Sequence, residues 1–313
     1  MNVREHLLAL NDELRRLKAG GQRTVSITEE HLAELREAVQ VAATESQPGA
    51  VPAAAPSGGE RIFSPTPSPA AEPVRATAPA PAVPGLPPTP AVSLPEGDKP
   101  TRWAALRELV LKDAVCNARV FAGKKIVFGV GSLDAAIMFV GEAPGADEED
   151  QGEPFVGRAG QLLNRMIKAM GLERGQVYIG NILNWRPEMP RNPDGSQTGN
   201  RPPTAAEMSY CLPFIRAQID VIQPRVLVAL GKTAVDGLLG ADRFKSMGAA
   251  RGAWHTYGGI PLRATYHPSY LLRQEGLTSA SARKIKRDAW EDLLNVMERA
   301  GVPISEKQRN YFL

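Results

Sequence analysis

The sequence contains only two cysteines among its 313 residues, Cys116 and Cys211, and they lie far apart along the chain. A set this small excludes a disulfide framework and favours a reducing compartment. No stretch approaches the roughly 20 consecutive apolar residues that a membrane span requires. The charged N-terminus also has no apolar core of signal-peptide length. We therefore expect a cytoplasmic protein without a membrane segment.

Histidine is almost as scarce, with four in the chain. The region that reads as folded holds His255 and His267 beside the two cysteines, and their spacing is not that of zinc ligands. The sequence therefore argues against a zinc site. The formal net charge of +3 is mildly basic. That balance permits binding to nucleic acid without requiring it.

Proline is abundant by contrast, and 27 prolines are too many for one compact fold. Many lie in residues 46–98, a Pro/Ala-rich segment with few large apolar side chains, which predicts a disordered linker. Residues 1–45 carry leucines near helical spacing and predict a short helical element that docks to a protein partner not identified by the sequence. Residues 99–313 then form the folded domain, and we expect the protein to be a monomer.

Four short apolar runs in this domain have the character of buried parallel strands. They are AAIMFV (135–140), VYIGNI (177–182), RVLVAL (225–230) and PLRATY (261–266). Amphipathic segments lie between them, so we predict an α/β domain in which helices cover both faces of a parallel sheet. Ligands of such folds bind beyond the carboxyl ends of the strands.

Each predicted strand is followed by a polar loop. The loops are GEAPGADEED, NWRPEMPRNPDGSQTGNRPP, GKT and HPSYLLR, in chain order. Because the carboxyl ends of parallel strands meet at one edge of the sheet, we expect these loops to converge there.

Three kinds of site could explain such an edge. LGKT resembles the end of a nucleoside-triphosphate loop, but the required earlier glycine is replaced by Val226. The amides of Gly231–Thr233 could still hold a DNA phosphate. The acidic cluster could bind Mg²⁺ or Ca²⁺, although Pro144 and Pro154 constrain it and its spacing is not that of an EF-hand.

The third interpretation is a pocket for a neutral polar ring. Phe155 offers a flat apolar face, and the Asn181 amide can both donate and accept. His267 can donate a hydrogen bond to a carbonyl, while Glu142 can orient water or stabilise developing positive charge. This set suits a pyrimidine base and cleavage of the bond that holds it to a sugar.

The motifs GEAPGADEEDQGEPFVGRAGQLL, YIGNIL, PRVLVALGKTA and TYHPSYLLR closely resemble the family-4 type of uracil-DNA glycosylase. The resemblance covers roughly residues 105–295. It implies a three-layer α/β/α sandwich with a central four-stranded parallel sheet. It also implies an enzyme that flips uracil out of DNA and hydrolyses its N-glycosidic bond without a catalytic metal, leaving an abasic site. The alternative is a catalytically idle nucleic-acid-binding protein of the same fold.

The resemblance also implies roles for individual residues. Glu142 and Glu148 would position the water and stabilise the sugar cation. His267 would stabilise the leaving base. Uracil binding falls to Phe155, Asn181 and Ala143. We expect contacts with DNA from Gly231, Lys232, Ser269, Leu272, Arg273 and Arg251, of which Leu272 and Arg273 could wedge into the opened duplex.

The chain departs from this family at the cysteines. Family-4 enzymes usually hold a [4Fe–4S] cluster with four cysteines, and a cubane needs the full thiolate set. Only Cys211 matches that set cleanly, Cys116 matches at best one of the first pair, and Trp185 stands at the third position. We therefore expect no iron–sulfur cluster, with Trp185 filling the vacated volume. The longer loop 188–200 has no histidine or lysine, so we expect no covalent trapping of the sugar.

Overall fold

The computed structural model describes residues 86–192, 196–275 and 279–312. The predicted helical element 1–45 and most of the predicted linker 46–98 lie outside these ranges. Within the described part of that linker, Leu86, Val92 and Leu94 are half-buried and pack against the hydrophobic core. The packed structure therefore reaches upstream of residue 99, where we expected the domain to begin.

A six-stranded sheet forms the centre of the domain. Its strands are β1 (Val130–Gly131), β2 (Ile137–Gly141), β3 (Tyr178–Asn181), β4 (Val226–Leu230), β5 (Trp254–Tyr257) and β6 (Ile260–Thr265). The order is β1-β3-β2-β4-β6-β5, with parallel pairing among β3, β2, β4 and β6. The predicted central four-stranded parallel sheet is thus confirmed. The sequence did not predict the two antiparallel edge strands, β1 and β5.

Helices connect and cover the strands. They are α1 (Lys99–Lys112), α2 (Ala114–Arg119), α3 (Ala146–Gln151), α4 (Arg158–Ala169), α5 (Ala205–Ile222), α6 (Lys232–Leu239), α7 (Met247–Ala250), α8 (Pro268–Leu272), α9 (Ala280–Ala300) and α10 (Glu306–Arg309), with a 3₁₀ turn at Arg174–Gln176. No helix in the described ranges has the length and apolar character needed to cross a membrane.

Local sequence explains where the longest connecting helix begins and ends. Thr204 accepts a hydrogen bond from the Glu207 amide, and the Glu207 carboxylate accepts one from the Thr204 amide. This reciprocal pairing satisfies amides that the first turn of α5 would otherwise leave without partners. The helix ends at Gln223, whose left-handed φ of 53° redirects the chain towards β4.

Two hydrophobic cores lie on opposite faces of the sheet because side chains alternate along each strand. Ile137 and Phe139 belong to the core that includes α4 and α9. Met138 and Val140 belong to the core that includes α1, α5 and α6. The sheet therefore lies between two helical layers, which confirms the predicted three-layer α/β/α sandwich.

Strand register brings the carboxyl ends of the parallel strands to one level. Gly141 pairs with Asn181, and Leu230 pairs with Thr265. The four polar loops therefore start side by side at one edge of the sheet, as the sequence predicts.

Candidate active site

A cavity of about 350 Å³ opens at this edge of the sheet, and residues from all four strand-end loops line it. Ten of the residues proposed from sequence are in its lining: Glu142, Ala143, Glu148, Phe155, Asn181, Gly231, Lys232, His267, Ser269 and Arg273. Leu272 and Arg251 are not in it. We call this cavity the base pocket.

The Phe155 ring forms one wall of the base pocket. Its backbone has a left-handed φ of 55°, which costs free energy for a residue with a side chain. A Cβ atom at Gly141 would lie 2.5 Å from the Phe155 ring, and one at Gly160 would lie 1.9 Å from the Phe155 carbonyl oxygen. Arg174 donates to the carbonyl oxygens of Pro154 at 2.6 Å and Phe155 at 3.2 Å. Two glycines and one arginine thus hold the ring in place.

Asn181 ends β3 and is 5% exposed. Its side-chain Oδ1 has no hydrogen-bond partner within the part of the chain that the structure describes. Burying an unpaired amide oxygen costs about 1–3 kcal/mol, so a fold rarely retains one without a reason. Its position in the pocket wall makes it an acceptor available to a donor on a ligand.

His267 is the N-cap of α8, and its ring orientation fixes its tautomer. The Ser269 amide donates to Nδ1 at 3.1 Å, and the Ser269 hydroxyl lies 2.8 Å from the same atom. Because Nδ1 accepts, the neutral ring carries its proton on Nε2. Burial, with a smaller contribution from the Arg273 charge, lowers the pKa of His267 to about 4. The ring is therefore neutral near pH 7 and offers Nε2–H as a donor.

The His267 ring also lies beside the apolar wall. Its centroid is 5.6 Å from that of Phe155, with the two planes inclined by 34°. Gly231 permits this position, since a Cβ atom there would lie 2.9 Å from the His267 Cβ atom. Gly231 has a φ of 87°, in the left-handed region that favours glycine.

Glu142 follows β2 and supplies a half-buried carboxyl group to the pocket. Burial raises its pKa, and a hydrogen bond with the Thr233 side chain opposes that rise in part. A carboxyl group with a raised pKa at a cavity wall is typical of a group that takes part in proton transfer or charge stabilisation.

Glu148 lines the same pocket, but its carboxylate is occupied by backbone amides. Its Oε2 accepts from Gly145, and its Oε1 accepts from Val156 and Gly157, each at 3.0 Å. These bonds tie the loop after β2 to the turn that carries Phe155. The geometry favours a positioning role, and the direct part in the chemistry expected from the sequence stays a prediction.

The sequence did not draw attention to Asn200, which also lines the pocket. Arg186 donates from Nε to the Asn200 Oδ1 at 2.8 Å. Arg186 in turn forms a buried ion pair with Glu149 at 2.8 Å, and Gly199 accepts from its Nη2 at 2.7 Å. Because the Asn200 oxygen is used in this way, its NH₂ group is left for the pocket. The sequence shows only an arginine in the NWRP stretch, and neither its burial nor its partners could be predicted from it.

Two cations proposed to contact DNA are paired within the protein. Lys232 donates to Asp236 at 2.6 Å, one helical turn away. Arg251 pairs with Asp288 at 3.1 Å and with the buried Asp292 at 3.0 Å. The geometry favours a structural role for Arg251, and its contact with DNA stays a prediction. Lys232 remains on the pocket wall with its charge largely compensated.

Of the remaining proposed DNA contacts, Gly231 precedes α6, and Ser269, Leu272 and Arg273 lie in or next to α8. Arg273 is exposed at the rim of the pocket, where Ser269 supports His267. Leu272 is half-buried. These positions are compatible with contacts to DNA that enters the pocket from this side.

The residues present do not fit the iron–sulfur cluster that the family resemblance suggests. Cys116 and Cys211 are fully buried free thiols, and Trp185 is 1% exposed in the same core. The Trp185 ring centroid lies 6.3 Å from that of Tyr210. Over residues 86–192, 196–275 and 279–312, no group of three or more Cys, His, Asp or Glu side chains is placed to hold a metal ion. Two thiols beside an indole cannot replace the four thiolates of a cubane.

We expect the purified protein to be colourless and free of stoichiometric iron, because this core has apolar packing where a cluster would need ligands. The measurement is metal content per chain together with the visible absorption spectrum, taken on protein prepared under anaerobic conditions. A matched preparation of a cluster-containing enzyme serves as the control for cluster loss. One cluster's worth of iron per chain would contradict the expectation.

Comparisons with known proteins match the part of the chain that carries this pocket. A model of the uracil DNA glycosylase superfamily matches residues 128–294. The type-4 uracil-DNA glycosylase of Thermotoga maritima is 38% identical over 168 residues, which is 54% of this chain and 79% of the relative. That of Sulfurisphaera tokodaii is 37% identical over 205 residues, 63% of this chain and 84% of the relative. That of Pyrobaculum aerophilum is 36% identical over 180 residues, 55% and 85% of the two chains.

Proposed function

The chain belongs to the uracil DNA glycosylase superfamily and is similar to its type-4 members, and from this premise we propose that it excises uracil from DNA. The substrate is uracil flipped out of DNA, and the reaction hydrolyses its N-glycosidic bond to leave free uracil and an abasic site. One observation supports the base pocket above all. The buried Asn181 Oδ1, which has no partner among the residues that the structure describes, lies in the same cavity as a stacking ring and a fixed imidazole donor.

Recognition of the base would depend on Phe155 and Asn181. The Phe155 ring can stack on the extruded base, which compensates for part of the stacking lost on leaving the helix. Asn181 Oδ1 can accept from the N3–H of uracil, and its NH₂ group can donate to O4. Cytosine has no hydrogen at N3 and carries an amino group in place of O4, so it would leave a buried acceptor unpaired.

Cleavage would proceed as the C1′–N1 bond breaks and its electron pair departs with the base. The negative charge then develops on the uracil ring and its O2 atom, where the Nε2–H of neutral His267 can donate. A neutral donor is suitable here because it stabilises the uracil anion without first requiring a proton at pH 7. The oxygen of water forms the new bond to C1′.

Glu142 provides the opposite charge. As a carboxylate it can stabilise the cationic sugar that forms as the base departs, and it can take a proton from the attacking water. The NH₂ group of Asn200 is a further polar group facing this space, since its oxygen is held by Arg186. Glu148 would act by holding the loop after Glu142 against the turn that carries Phe155.

We expect the ionised form of Glu142 to be required, which gives a testable pH dependence. Burial raises the pKa of Glu142, so the rate should fall as pH drops through a value above the ordinary range for glutamate, about 4.3. Glu142→Gln should lower the single-turnover rate by about two orders of magnitude and remove this part of the acidic limb. The pH–rate profiles of both proteins on one uracil oligonucleotide provide the measurement. An acidic limb that is unchanged in the variant would contradict the assignment.

The competing function, a catalytically idle nucleic-acid-binding protein of the same fold, is not favoured by the comparisons. A base-release assay separates the two. Single- and double-stranded oligonucleotides containing uracil, hypoxanthine or xanthine are incubated with the protein, and free base and DNA binding are measured in parallel. Release of uracil supports the enzyme. Binding to every oligonucleotide without release of any base would support the idle protein.

We further propose that the enzyme acts on DNA as a cytoplasmic monomer and that residues 1–45 dock to a protein partner through the linker 46–98. The composition of these segments supports the second proposal, since a Pro/Ala-rich segment separates a leucine-patterned one from the domain.

A further inference from the structure

A second cavity, of about 430 Å³, lies directly beside the base pocket. The two cavities share four wall residues, Gly231, Lys232, His267 and Tyr270. The far side of the second cavity is formed by Tyr266 and by residues 246–248. We call this second cavity the flanking groove. It is not needed for any step described above.

Two tyrosines line the flanking groove, and one arginine guanidinium lies near each ring. The Tyr266 and Tyr270 ring centroids are 5.2 Å apart, with their planes inclined by 32°. The Arg251 guanidinium lies 5.0 Å from the Tyr266 centroid, and that of Arg273 lies 5.6 Å from the Tyr270 centroid. Ion pairs with Asp288 and Asp292 hold Arg251, so the guanidinium next to the Tyr266 ring is fixed.

These two rings are not part of the hydrophobic core. Both tyrosines are half-buried, and neither belongs to the cores on the two faces of the sheet. Large aromatic side chains are normally placed where they bury apolar area, so two of them lining an open groove need another explanation. Aromatic side chains in a groove are typical of surfaces on which nucleic-acid bases stack, and the exposed Arg273 beside Tyr270 places a positive charge next to this groove.

We propose that the flanking groove binds the nucleotide next to the flipped uracil on the same strand, with its base stacked on the Tyr270 ring that Tyr266 supports. The proposal rests on the proposed function, because it requires uracil in the base pocket. A nucleotide joined to that uracil by one phosphodiester must leave the pocket across its rim, and Tyr270 lies in the wall between the two cavities. The exposed Arg273 beside Tyr270 is placed to neutralise the connecting phosphate.

This arrangement makes two predictions about selectivity. Stacking uses the face that every base possesses, so the groove should accept any neighbouring base with little sequence preference. Single-stranded DNA should use the groove readily, because its neighbouring base need not leave a duplex stack.

The test removes the neighbouring base and the tyrosine ring separately and together. Single-stranded oligonucleotides carry one uracil, with either an ordinary nucleotide or a stable abasic analogue at the position 5′ or 3′ to it. For the wild type, we expect the abasic analogue on one side to lower kcat/KM about tenfold, in line with the loss of one stacked base. Tyr270→Ala should cause a similar loss on the ordinary oligonucleotide and little further loss on the abasic one.

Tyr270→Phe is the matched control, because it keeps the ring and should keep the dependence on the neighbouring base. Tyr266→Ala provides a second test of the same stack if Tyr270→Ala unfolds at a lower temperature than the wild type. The proposal is overturned if no abasic position affects the wild type. It is equally overturned if the losses from Tyr270→Ala and from the missing base simply multiply.

The same oligonucleotides distinguish a failure of this inference from a failure of the proposed function. Binding of each one is measured by fluorescence anisotropy, which does not depend on base release. The protein could release no uracil and still bind the ordinary oligonucleotide more tightly than the abasic one. That result would support the role of the groove and contradict the glycosylase assignment. Release of uracil with no response to the neighbouring base would support the glycosylase assignment and rule out the role proposed for the flanking groove.

Discussion

His267→Ala is expected to lower the single-turnover rate of uracil release by about two to four orders of magnitude, with little change in folding. The size of the effect follows from preorganisation. Ser269 fixes the ring with Nδ1 as acceptor, and the lowered pKa of about 4 keeps it neutral. The Nε2–H donor is therefore in place before charge develops on the base, and alanine leaves that charge without a partner.

Measurement of this effect requires single-turnover kinetics, so that product release does not mask the chemical step. The chain offers His255→Ala as a matched control. The His255 ring contacts the Ala250 carbonyl oxygen at 2.6 Å and the Phe244 ring at a centroid distance of 4.8 Å, and it is not in the pocket lining. Loss of His255 should alter stability more than rate. Wild-type rates of uracil release in His267→Ala would contradict the assigned role.

Asn181→Ala is expected to have the second large effect, lowering kcat/KM for uracil release by about two or more orders of magnitude. A site built to accept a hydrogen bond from its substrate discriminates strongly, and removal of the acceptor removes that selectivity. The free energy of unfolding should not fall as it does for an ordinary buried asparagine. Asn181 Oδ1 has no partner among the described residues, so the folded protein loses no hydrogen bond there.

Asn184 provides the contrasting variant, since it is buried nearby in sequence but outside the pocket lining, and only its Oδ1 lacks a partner among the described residues. Its Nδ2 donates to the Val127 carbonyl oxygen at 3.0 Å. Asn184→Ala should therefore lower the free energy of unfolding, by about 1–3 kcal/mol, with a much smaller effect on the rate. Thermal unfolding and single-turnover kinetics on both variants separate the two roles. A fall in stability with an unchanged rate in Asn181→Ala would contradict the pocket.

The central strands were predictable because each is a short apolar run buried on both faces of a parallel sheet. The edge strands were not. Strand β1 has only two residues, and the four residues of β5 are half-buried or exposed. Such segments carry little hydrophobic pattern, and only their antiparallel pairing to a neighbour reveals them.

The candidate site was partly predictable for a related reason. Asn181 is the last residue of a strand and His267 lies two residues beyond one, so the strands themselves place both side chains. Partners chosen by the tertiary fold are not visible in the sequence. From the sequence, Arg251 is expected to be a free cation that can contact DNA. In the structure it donates to Asp292, 41 residues further along the chain. Asn200 likewise reaches the pocket only because Arg186 and Glu149 anchor its loop.

We propose that the base pocket excises uracil, with Asn181 recognising the base and His267 donating a hydrogen bond to it. The most direct test of this proposal uses one single-stranded oligonucleotide with a single uracil and follows free uracil and abasic DNA by mass spectrometry. We predict equal amounts of both products from the wild type. We predict neither from the Asn181→Ala, His267→Ala double variant within the same time. An oligonucleotide that stays intact although the folded wild type binds it would contradict the account.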